Sequence, residues 1–431
     1  MPDQTFLVPG GLDFRRPTFT EFPVYWGDTI NFHPSPSGLY PGIGWAIMGT
    51  EIPSSTNGVI THLASMSKSD SPSTLDRYAC GSKRILRWNG TDWVEIQDVN
   101  DFTITSTDPI DSTYWNDATY FFIPKDAAAN NIAKHTGGAG DITRVGGTPR
   151  NARFGKLFGN RICTAATFKG ATCRDTEVQF SELDVDNTWP AKYKVTLDET
   201  PDGFAGIQTL DQSLILFKNR SSPYIVTLRA SDINPFNYDM LPGSLGMVNP
   251  AAHVKCGHKG IAWCGIRNIH LFTGTEFPSD IGNEVQPAIQ AKFGGTSRVI
   301  AGYDSRRGDR EAVYFLTNIA SSAHDFTPNS LAVTNPYLGF DLITGSWFRG
   351  DLGSNSPRAM GNYYVQVGDR DYGSATIVGS FMALDSASGT KVFDMLFSQS
   401  QREAADFTKT AITPVFNLGT YFRKTIKKVI P

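Results

Sequence analysis

The stretch GSKRILRWNGTDW at residues 81–93 decides the fold, because it recurs without gaps as GIRNIHLFTGTEF at residues 265–277. Both copies contain a turn, an Ile-x-x-aromatic strand, a Gly-Thr-acid turn and a second aromatic residue. The copies lie 184 residues apart, which equals four units of 46. A period of about 40–50 residues is typical of one four-stranded blade of a β-propeller. The repeat therefore predicts a propeller.

Two looser copies of the same hairpin occur as FDLITGSW at residues 340–347 and DVDNTW at residues 184–189. In each copy a Gly or Asn turn reverses the chain and an aromatic residue follows. A small sheet must bury its faces, so we expect these aromatic side chains to insert between neighbouring blades. From the size of the repeat we expect about six blades, with five or seven as the alternatives.

The rest of the chain agrees with an all-β fold. Short β-type runs are separated by turn clusters every 8–12 residues or so, and 41 glycines and 25 prolines supply the turns. We expect an extended N-terminal arm over residues 1–45 and a β-propeller over residues 46–431, closed by the C-terminal strand. One short helix is predicted after a cap at Asn283, with Val285, Ile289 and Phe293 on its apolar side.

Charge and cysteine content exclude several classes of protein. Charged residues make up 19% of the chain, so either partners cover much of the surface or the surface is polar without being charged. The net charge of −3 gives no overall basic footprint for gripping nucleic acid. Five scattered cysteines favour a reducing compartment over a disulfide framework. We expect no secretory signal at the start of the chain and no membrane-spanning segment.

Motifs for catalysis or metal binding are missing. One group of residues could be considered as zinc ligands: Cys256, His258, Cys264 and His270. Their spacing matches no common zinc-binding pattern. We expect buried cysteines and a surface histidine there instead. No G-x-S-x-G, H-E-x-x-H or P-loop occurs, and the Asp-box of sialidases is absent. We therefore expect no enzymatic activity, no cofactor and no metal.

The densest basic run lies near the end of the chain and comprises Arg423, Lys424, Lys427 and Lys428. In a strand, Lys424 and Lys428 would share one face and the other two residues the opposite face. Two interpretations stay open. The run is either a solvated strand end or a contact to an acidic partner or to passing DNA.

Several segments are similar to one protein family. The chain resembles the propeller-type tail proteins of tailed double-stranded DNA bacteriophages, including the nozzle proteins of short-tailed phages, also known as lower tail-tube or packaged-DNA stabilisation proteins. The order of the matching hairpins along the chain carries the likeness. The segments are residues 38–45, 85–93, 153–162 with 178–190, 216–226, and the closing 418–424.

The resemblance implies a structural virion protein, assembled in the cytoplasm of the host bacterium and located in the tail. It implies a homo-hexameric ring beneath the portal or head-to-tail adaptor, next to tail fibre, tailspike or tail-tip proteins. Double-stranded DNA would leave through the ring without sequence-specific contacts. We expect no extra tip domain after the propeller, so a nozzle and a collar or adaptor ring both remain open.

A conduit should not grip DNA, since each basic group on its wall adds affinity through counterion release. We therefore expect a neutral or acidic channel surface, with residues 423–428 pointing away from it. The strongest rival is a virion propeller that binds or depolymerises a polysaccharide, such as a host receptor. It would need exposed aromatic residues in a pocket, and Trp26, Trp115 and Tyr303 are candidates. A cellular scaffold of kelch or WD type fits less well. Neither the regular paired glycines of kelch blades nor the His and Trp-Asp residues of WD repeats recur along the chain.

Overall fold

The computed structural model of the chain contains almost only β-structure. It describes residues 28–426 except 31, 36–37, 42–43, 68–74, 97–103, 105–108, 125–131, 170–171, 230–234, 275–276, 287–288, 290–297, 308–309, 318–335, 353–355, 370–372, 387, 397–400, 403–404, 407–409 and 413–424. Within these ranges, none of the helices has the length and apolar character needed to cross a membrane.

Six four-stranded antiparallel sheets follow one another along the chain, and four strands of a seven-stranded sheet complete a seven-bladed propeller. Blade 1 consists of Ile60–Ser67, Leu75–Gly81, Ile85–Trp88 and Trp93–Glu95; blade 2 of Asp111–Trp115, Ala118–Phe122, Ile132–His135 and Thr143–Arg144; blade 3 of Ala152–Phe158, Arg161–Lys169, Thr172–Phe180 and Lys194–Thr196. Blade 4 consists of Phe204–Leu210, Ser213–Lys218, Tyr224–Leu228 and Phe236–Met240; blade 5 of His253–Lys255, Ile261–Cys264, Ile269–Phe272 and Ser279–Asp280; blade 6 of Val299–Arg307, Arg310–Thr317, Pro336–Asp341 and Ser346–Asp351.

Blade 7 closes the ring with strands from both ends of the chain. Pro357–Asp369, Gly373–Asp385 and Gly389–Leu396 are its first three strands, and Gly44–Ile47 is the fourth. Phe393 lies opposite Ile47 in this antiparallel pair. Blade structure therefore begins at Gly44, two residues before the predicted boundary. The predicted closing strand at residues 418–424 lies outside the described residues, so that part of the prediction stays a prediction. Pairing the first blade strand with the last fastens the ring without leaving the third strand of blade 7 as an open edge.

The predicted count of about six blades was too low. The repeat itself was placed correctly, because residues 85–88 and 269–272 are the third strands of blades 1 and 5, four blades apart. The blades between residues 44 and 396 take roughly 50 residues each rather than 46, since connections of variable length separate the strands. Blades that lack the hairpin signature could not be counted from sequence.

Middle strands are buried on both faces, because each blade is packed between two neighbours. All five residues of Ala118–Phe122 are buried, as are Leu214 to Lys218 in blade 4. β-Branched, aromatic and other apolar side chains fit this setting. A strand buried on both faces shows no alternation of apolar and polar residues, so periodicity alone gives little information here.

Tryptophans connect neighbouring blades, as the hairpin signature predicts. Trp347 of blade 6 is 1% exposed, and its Nε1–H donates to the carbonyl of Ile281 behind blade 5 at 2.8 Å. Trp93 of blade 1 likewise donates to the carbonyl of Met48, next to the closing strand of blade 7, at 2.9 Å. Trp189 packs on the aromatic cluster of blade 2. The predicted insertion between blades is confirmed at all three positions.

Phe277 departs from this arrangement and is 72% exposed. In blade 1 Leu86 lies opposite Glu95, nine residues on; in blade 5 His270 lies opposite Asp280, ten residues on. The turn of blade 5 therefore holds one more residue. A slip of one residue reverses the direction of a side chain relative to the sheet, and this explains why Phe277, although aligned with Trp93, does not enter the blade interface.

Further strands lie outside the seven blades. Asp28–Ile30, Thr410–Ile412 and Thr425–Ile426 form a three-stranded sheet, and Phe32–Ser35 pairs with Gly38–Pro41. Asp28–Ile30 and Phe32–Ser35 lie beside the outer strand of blade 6. Ile52–Pro53, Gln401–Arg402 and Ala405–Asp406 add to the sheet of blade 7. The described part of the N-terminal arm thus contains strands rather than irregular chain only.

Helical structure in the described residues is limited to short segments. They are the α-helix Ser54–Asn57 and the 3-10 helices Ala191–Tyr193, Gly257–Lys259 and Ile281–Val285. The predicted helix overlaps only the 3-10 helix Ile281–Val285, in which Asp280 and not Asn283 is the cap. Most of the predicted segment after Gln286 lies outside the described residues. Val285 and Ile289 are buried as apolar residues. Phe293 lies outside the described residues.

Four of the five cysteines are enclosed. Cys80, Cys163, Cys256 and Cys264 are fully buried, whereas Cys173 is half-buried. Burial raises the pKa of all four buried thiols, to about 12 for Cys256. Since the thiolate is the reactive species, we expect iodoacetamide to modify Cys173 in the native protein and the other four only after unfolding. Peptide mass spectrometry with and without urea will measure this, and native labelling of Cys256 would contradict the packing.

Candidate functional site

The first strands of all seven blades surround a cavity on the propeller axis. It has a volume of about 130 Å³. Each blade contributes at least one side chain to its wall. One representative from each blade, in order, is His62, Asp111, Lys156, Gln208, His253, Ile300 and Ala359.

An ion pair crosses from blade 2 to blade 3 in this cavity. The Nζ of Lys156 lies 2.5 Å from Oδ1 of Asp111 and donates to the carbonyl of Ser112 at 2.6 Å. The other carboxylate oxygen of Asp111 accepts the backbone N–H of Gly155 at 3.1 Å. The cation and the anion are thus paired and hydrogen-bonded, which is the condition for retaining charge in a confined space.

Two histidines face the same cavity. Nε2 of His62 lies 2.7 Å from Oγ of Ser112, and Nε2 of His253 lies 3.2 Å from the carbonyl of Ile207. Enclosure by protein lowers the pKa of each imidazole to about 4; Lys156 adds to the effect and Asp111 opposes it. Both rings are therefore neutral at pH 7, and the Asp111–Lys156 pair adds no net charge.

Arg298, which directly precedes blade 6, also contacts blade 1. Its Nη2 donates to the carbonyl of Thr61 at 2.8 Å. Burial lowers the pKa of Arg298 to about 10, and the charge of Arg358 acts in the same direction. The side chain remains a cation at neutral pH, so this contact adds a charge-assisted hydrogen bond between blades that are not adjacent in sequence.

The dimensions of the cavity decide what can enter it. A volume of about 130 Å³ holds roughly four water molecules at about 30 Å³ each, whereas the major groove of DNA alone is about 12 Å wide. A duplex therefore cannot pass along the propeller axis. The described residues contain no group of three or more His, Cys, Asp or Glu side chains placed to hold a metal ion.

The residues singled out from sequence have mixed outcomes. Arg423, Lys424, Lys427 and Lys428 lie outside the described residues, so their direction stays a prediction. Cys256 and Cys264 are buried and His258 is exposed, as predicted. His270, by contrast, is buried, and its Nδ1 lies 2.7 Å from Oδ1 of Asp280.

Two of the aromatic candidates for sugar stacking are not available on the surface. Trp115 is 7% exposed and Tyr303 is 3% exposed. Both pack in the core beside neighbouring aromatic or apolar residues, so the expectation that they form an exposed platform was wrong. Trp26 lies outside the described residues.

Sequence analysis missed the polar residues of the axial cavity. His62, Asp111, Lys156 and His253 share no motif, and they come from four different blades. Only their position could have indicated that they meet, since each residue lies in the first strand of its blade. The first strands cannot be recognised in the sequence until the blade boundaries are known.

Comparisons with known proteins give the following result. No family model and no curated protein matches the chain. Among solved structures, YCF48 bound to a D1 peptide is similar at 10% identity with a TM-score of 0.46, covering 81% of this chain and 97% of that chain. BBS1N in complex with ARL6DN has 10% identity and a TM-score of 0.44, covering 82% and 97% of the two chains. The computationally designed Ika8 protein has 10% identity and a TM-score of 0.42, covering 82% and 100%. The propeller assignment rests on the strand pairings themselves.

Proposed function

We propose that this protein is a non-enzymatic structural subunit of the tail of a double-stranded DNA bacteriophage, forming a homo-hexameric ring as a nozzle or tail-tube segment. The ring joins the portal or head-to-tail adaptor to tail fibre, tailspike or tip proteins in the virion. The ordered hairpins in the sequence support this role, and so does the sheet that the two ends of the chain build outside the blades.

That terminal sheet is the observation that carries the proposal. Thr410–Ile412 is its central strand, between Asp28–Ile30 and Thr425–Ile426, so among the described residues the outer two strands are edges. Edge strands present backbone N–H and C=O groups that can pair with a strand of another chain. The sheet lies beside blade 6, on the circumference rather than on the axis. A contact at the circumference arranges propellers side by side, as a ring requires.

The narrow axis supports one path for DNA in such a ring. Because a duplex cannot enter the axial cavity of one propeller, the genome passes between copies, and the channel wall consists of outer propeller surface. The proposal keeps this wall neutral or acidic, with Arg423, Lys424, Lys427 and Lys428 away from it. Each basic group on the wall would add affinity that ejection has to overcome.

Native mass spectrometry and negative-stain imaging of the purified protein test the proposal. We expect a six-fold ring with an open central channel. Proline substitutions at the edge strand, Thr425→Pro and Ile426→Pro, are expected to reduce assembly. In an antiparallel pair the N–H groups of successive residues point to opposite sides, so one of the two variants removes an N–H on the free edge.

Thr425→Val and Ile426→Val are the matched controls, since they keep the backbone donor, and we expect hexamers from both. The melting temperature of the propeller should be the same in the proline and valine variants, because the sheet lies outside the blades. A monomer or trimer of the wild type that binds or cleaves surface polysaccharide would overturn the ring proposal. So would hexamers that form equally well in both proline variants.

A further inference from the structure

A second cavity opens on the propeller face where the connection from blade 4 to blade 5 meets the loops after their second strands. It has a volume of about 490 Å³, enough for a small organic ligand. We call it the blade 4–5 pocket. The residues used below are Arg220, Leu245, Ile266, Arg267, His270 and Asp280.

Two cations in the pocket have exposed side chains. Arg220 and Arg267 are both exposed, and neither guanidinium has an acidic partner within the described part of the chain. The backbone of Arg220 is held in place, because its N–H donates to Oδ2 of Asp202 at 2.7 Å. A guanidinium fork binds a carboxylate or phosphate in a bidentate manner, so the pocket suits an anionic group.

His270 supplies a hydrogen-bond acceptor of fixed orientation. Its ring is 6% exposed, and burial lowers its pKa, so the imidazole is neutral at pH 7. Since the Asp280 carboxylate accepts the Nδ1 proton at 2.7 Å, Nε2 of the neutral ring is an acceptor. Nε2 has no hydrogen-bond partner among the residues that the structure describes. It can therefore accept a hydrogen bond from a hydroxyl group of a ligand.

Neighbouring residues hold the imidazole in place. The Trp263 ring lies 5.2 Å from the His270 ring, and its Nε1–H donates to the carbonyl of Leu245 at 2.9 Å. A Cβ atom at Gly265 would stand 2.8 Å from Nε2 of His270. Glycine at this position therefore leaves the space that the ring requires.

Comparison with blade 1 shows that the blade does not require these polar residues. In the internal repeat, Leu86 stands at the position of His270 and is 4% exposed. Its cross-strand partner is Glu95, where blade 5 has Asp280. Lys83 stands at the position of Arg267. Placing a buried histidine where leucine fits costs free energy unless its hydrogen bonds are satisfied, and a ligand at Nε2 would satisfy the remaining one.

We propose that the blade 4–5 pocket binds an acidic monosaccharide unit of the hexuronate class, with its carboxylate on Arg220 and Arg267 and a hydroxyl group on His270. The exposed Ile266 and the half-buried Leu245 offer apolar surface to the sugar ring. An acidic peptide side chain fits less well, because a carboxylate has no proton to donate to Nε2 at neutral pH. The site does not depend on the ring role proposed above.

Binding of sodium D-glucuronate, measured by saturation-transfer NMR and calorimetry at pH 7, tests the proposal. Glucose and acetate test the two kinds of contact separately. Glucose lacks the carboxylate that the arginines would bind, and acetate lacks the hydroxyl groups that His270 would bind. We expect glucuronate to bind about tenfold or more tightly than either probe, because each loses one set of hydrogen bonds to a charged or oriented group.

Variants locate the site on the protein. Arg267→Ala and His270→Leu are each expected to weaken glucuronate binding by about tenfold. His270→Leu copies blade 1, so it should leave the melting temperature of the protein unchanged or higher. Lys83→Ala, the same change at the matching position of blade 1, should have no effect on binding.

Three results would overturn the proposal. Equal binding of acetate and glucuronate would remove the role of His270, and equal binding of glucose would remove that of the arginines. Tighter binding of a glutamate-rich peptide than of glucuronate would assign the pocket to a protein partner. This assay measures ligand binding, whereas the ring proposal is tested by the oligomeric state. A failure of one proposal can therefore be distinguished from a failure of the other.

Discussion

Replacing Trp347 by alanine is expected to lower the free energy of unfolding by about 4 kcal/mol, because large-to-small changes at a filled core site lose both apolar burial and packing. The indole is 1% exposed and lies 5.0 Å from the ring of Phe340, centre to centre. Its Nε1–H also satisfies the carbonyl of Ile281, which the alanine variant would leave without this donor. The side chain thus joins blade 6 to blade 5 through apolar and polar contacts together.

Chemical denaturation followed by far-UV circular dichroism measures the effect. Phe277→Ala is the matched control, since the two aromatics follow similar hairpin turns but Phe277 is 72% exposed. We expect this control to stay within about 0.5 kcal/mol of the wild type. Trp347→Phe should fall between the two, because it keeps one aromatic ring but loses the N–H donor and part of the indole volume. Equal losses from Trp347→Ala and Phe277→Ala would show that insertion between blades does not determine stability.

The hairpin repeat made the fold predictable and left the number of blades open. Residues 81–93 and 265–277 define third strands and their turns four blades apart. Blade 7 could not be recognised, because its fourth strand is Gly44–Ile47 and its other strands begin more than 300 residues later. Only the long-range pairing joins them, and four residues carry too little periodicity to indicate it.

The polar sites were less predictable than the fold. His62 and His253 reach one cavity from blades 1 and 5, and nothing near either residue in the sequence indicates the other. His270 was considered only as a zinc ligand. The pairing of His270 with Asp280 could not be predicted from the repeat, because the turn of blade 5 is one residue longer than that of blade 1. Local pattern therefore predicts strands well, whereas a site assembled from several blades depends on register and closure.

The axial histidines are expected to make stability fall steeply as the pH decreases from 6.5 to about 4. His62 and His253 each have a pKa of about 4 in the folded protein, against an ordinary value of 6.5. Between these values the unfolded chain binds a proton at each histidine and the folded protein does not. The stability that the neutral rings contribute is thus fully present above pH 6.5 and is lost as the pH falls to about 4.

The expected size is at most about 3.5 kcal/mol for each histidine, since one pKa unit corresponds to about 1.4 kcal/mol. His62→Gln and His253→Gln keep a hydrogen-bonding group without titrating, so each should reduce the loss of stability across this range.

His258→Gln is the control, because His258 is exposed on the turn Gly257–Lys259, and we expect it to leave the slope unchanged. Denaturation curves at a series of pH values, with all four proteins in the same buffers, measure the slopes. If the glutamine variants at positions 62 and 253 kept the slope of the wild type, the acid sensitivity would come from the carboxylates. If instead the slope became shallower in both glutamine variants, the two neutral histidines on the propeller axis would be the source of the acid sensitivity.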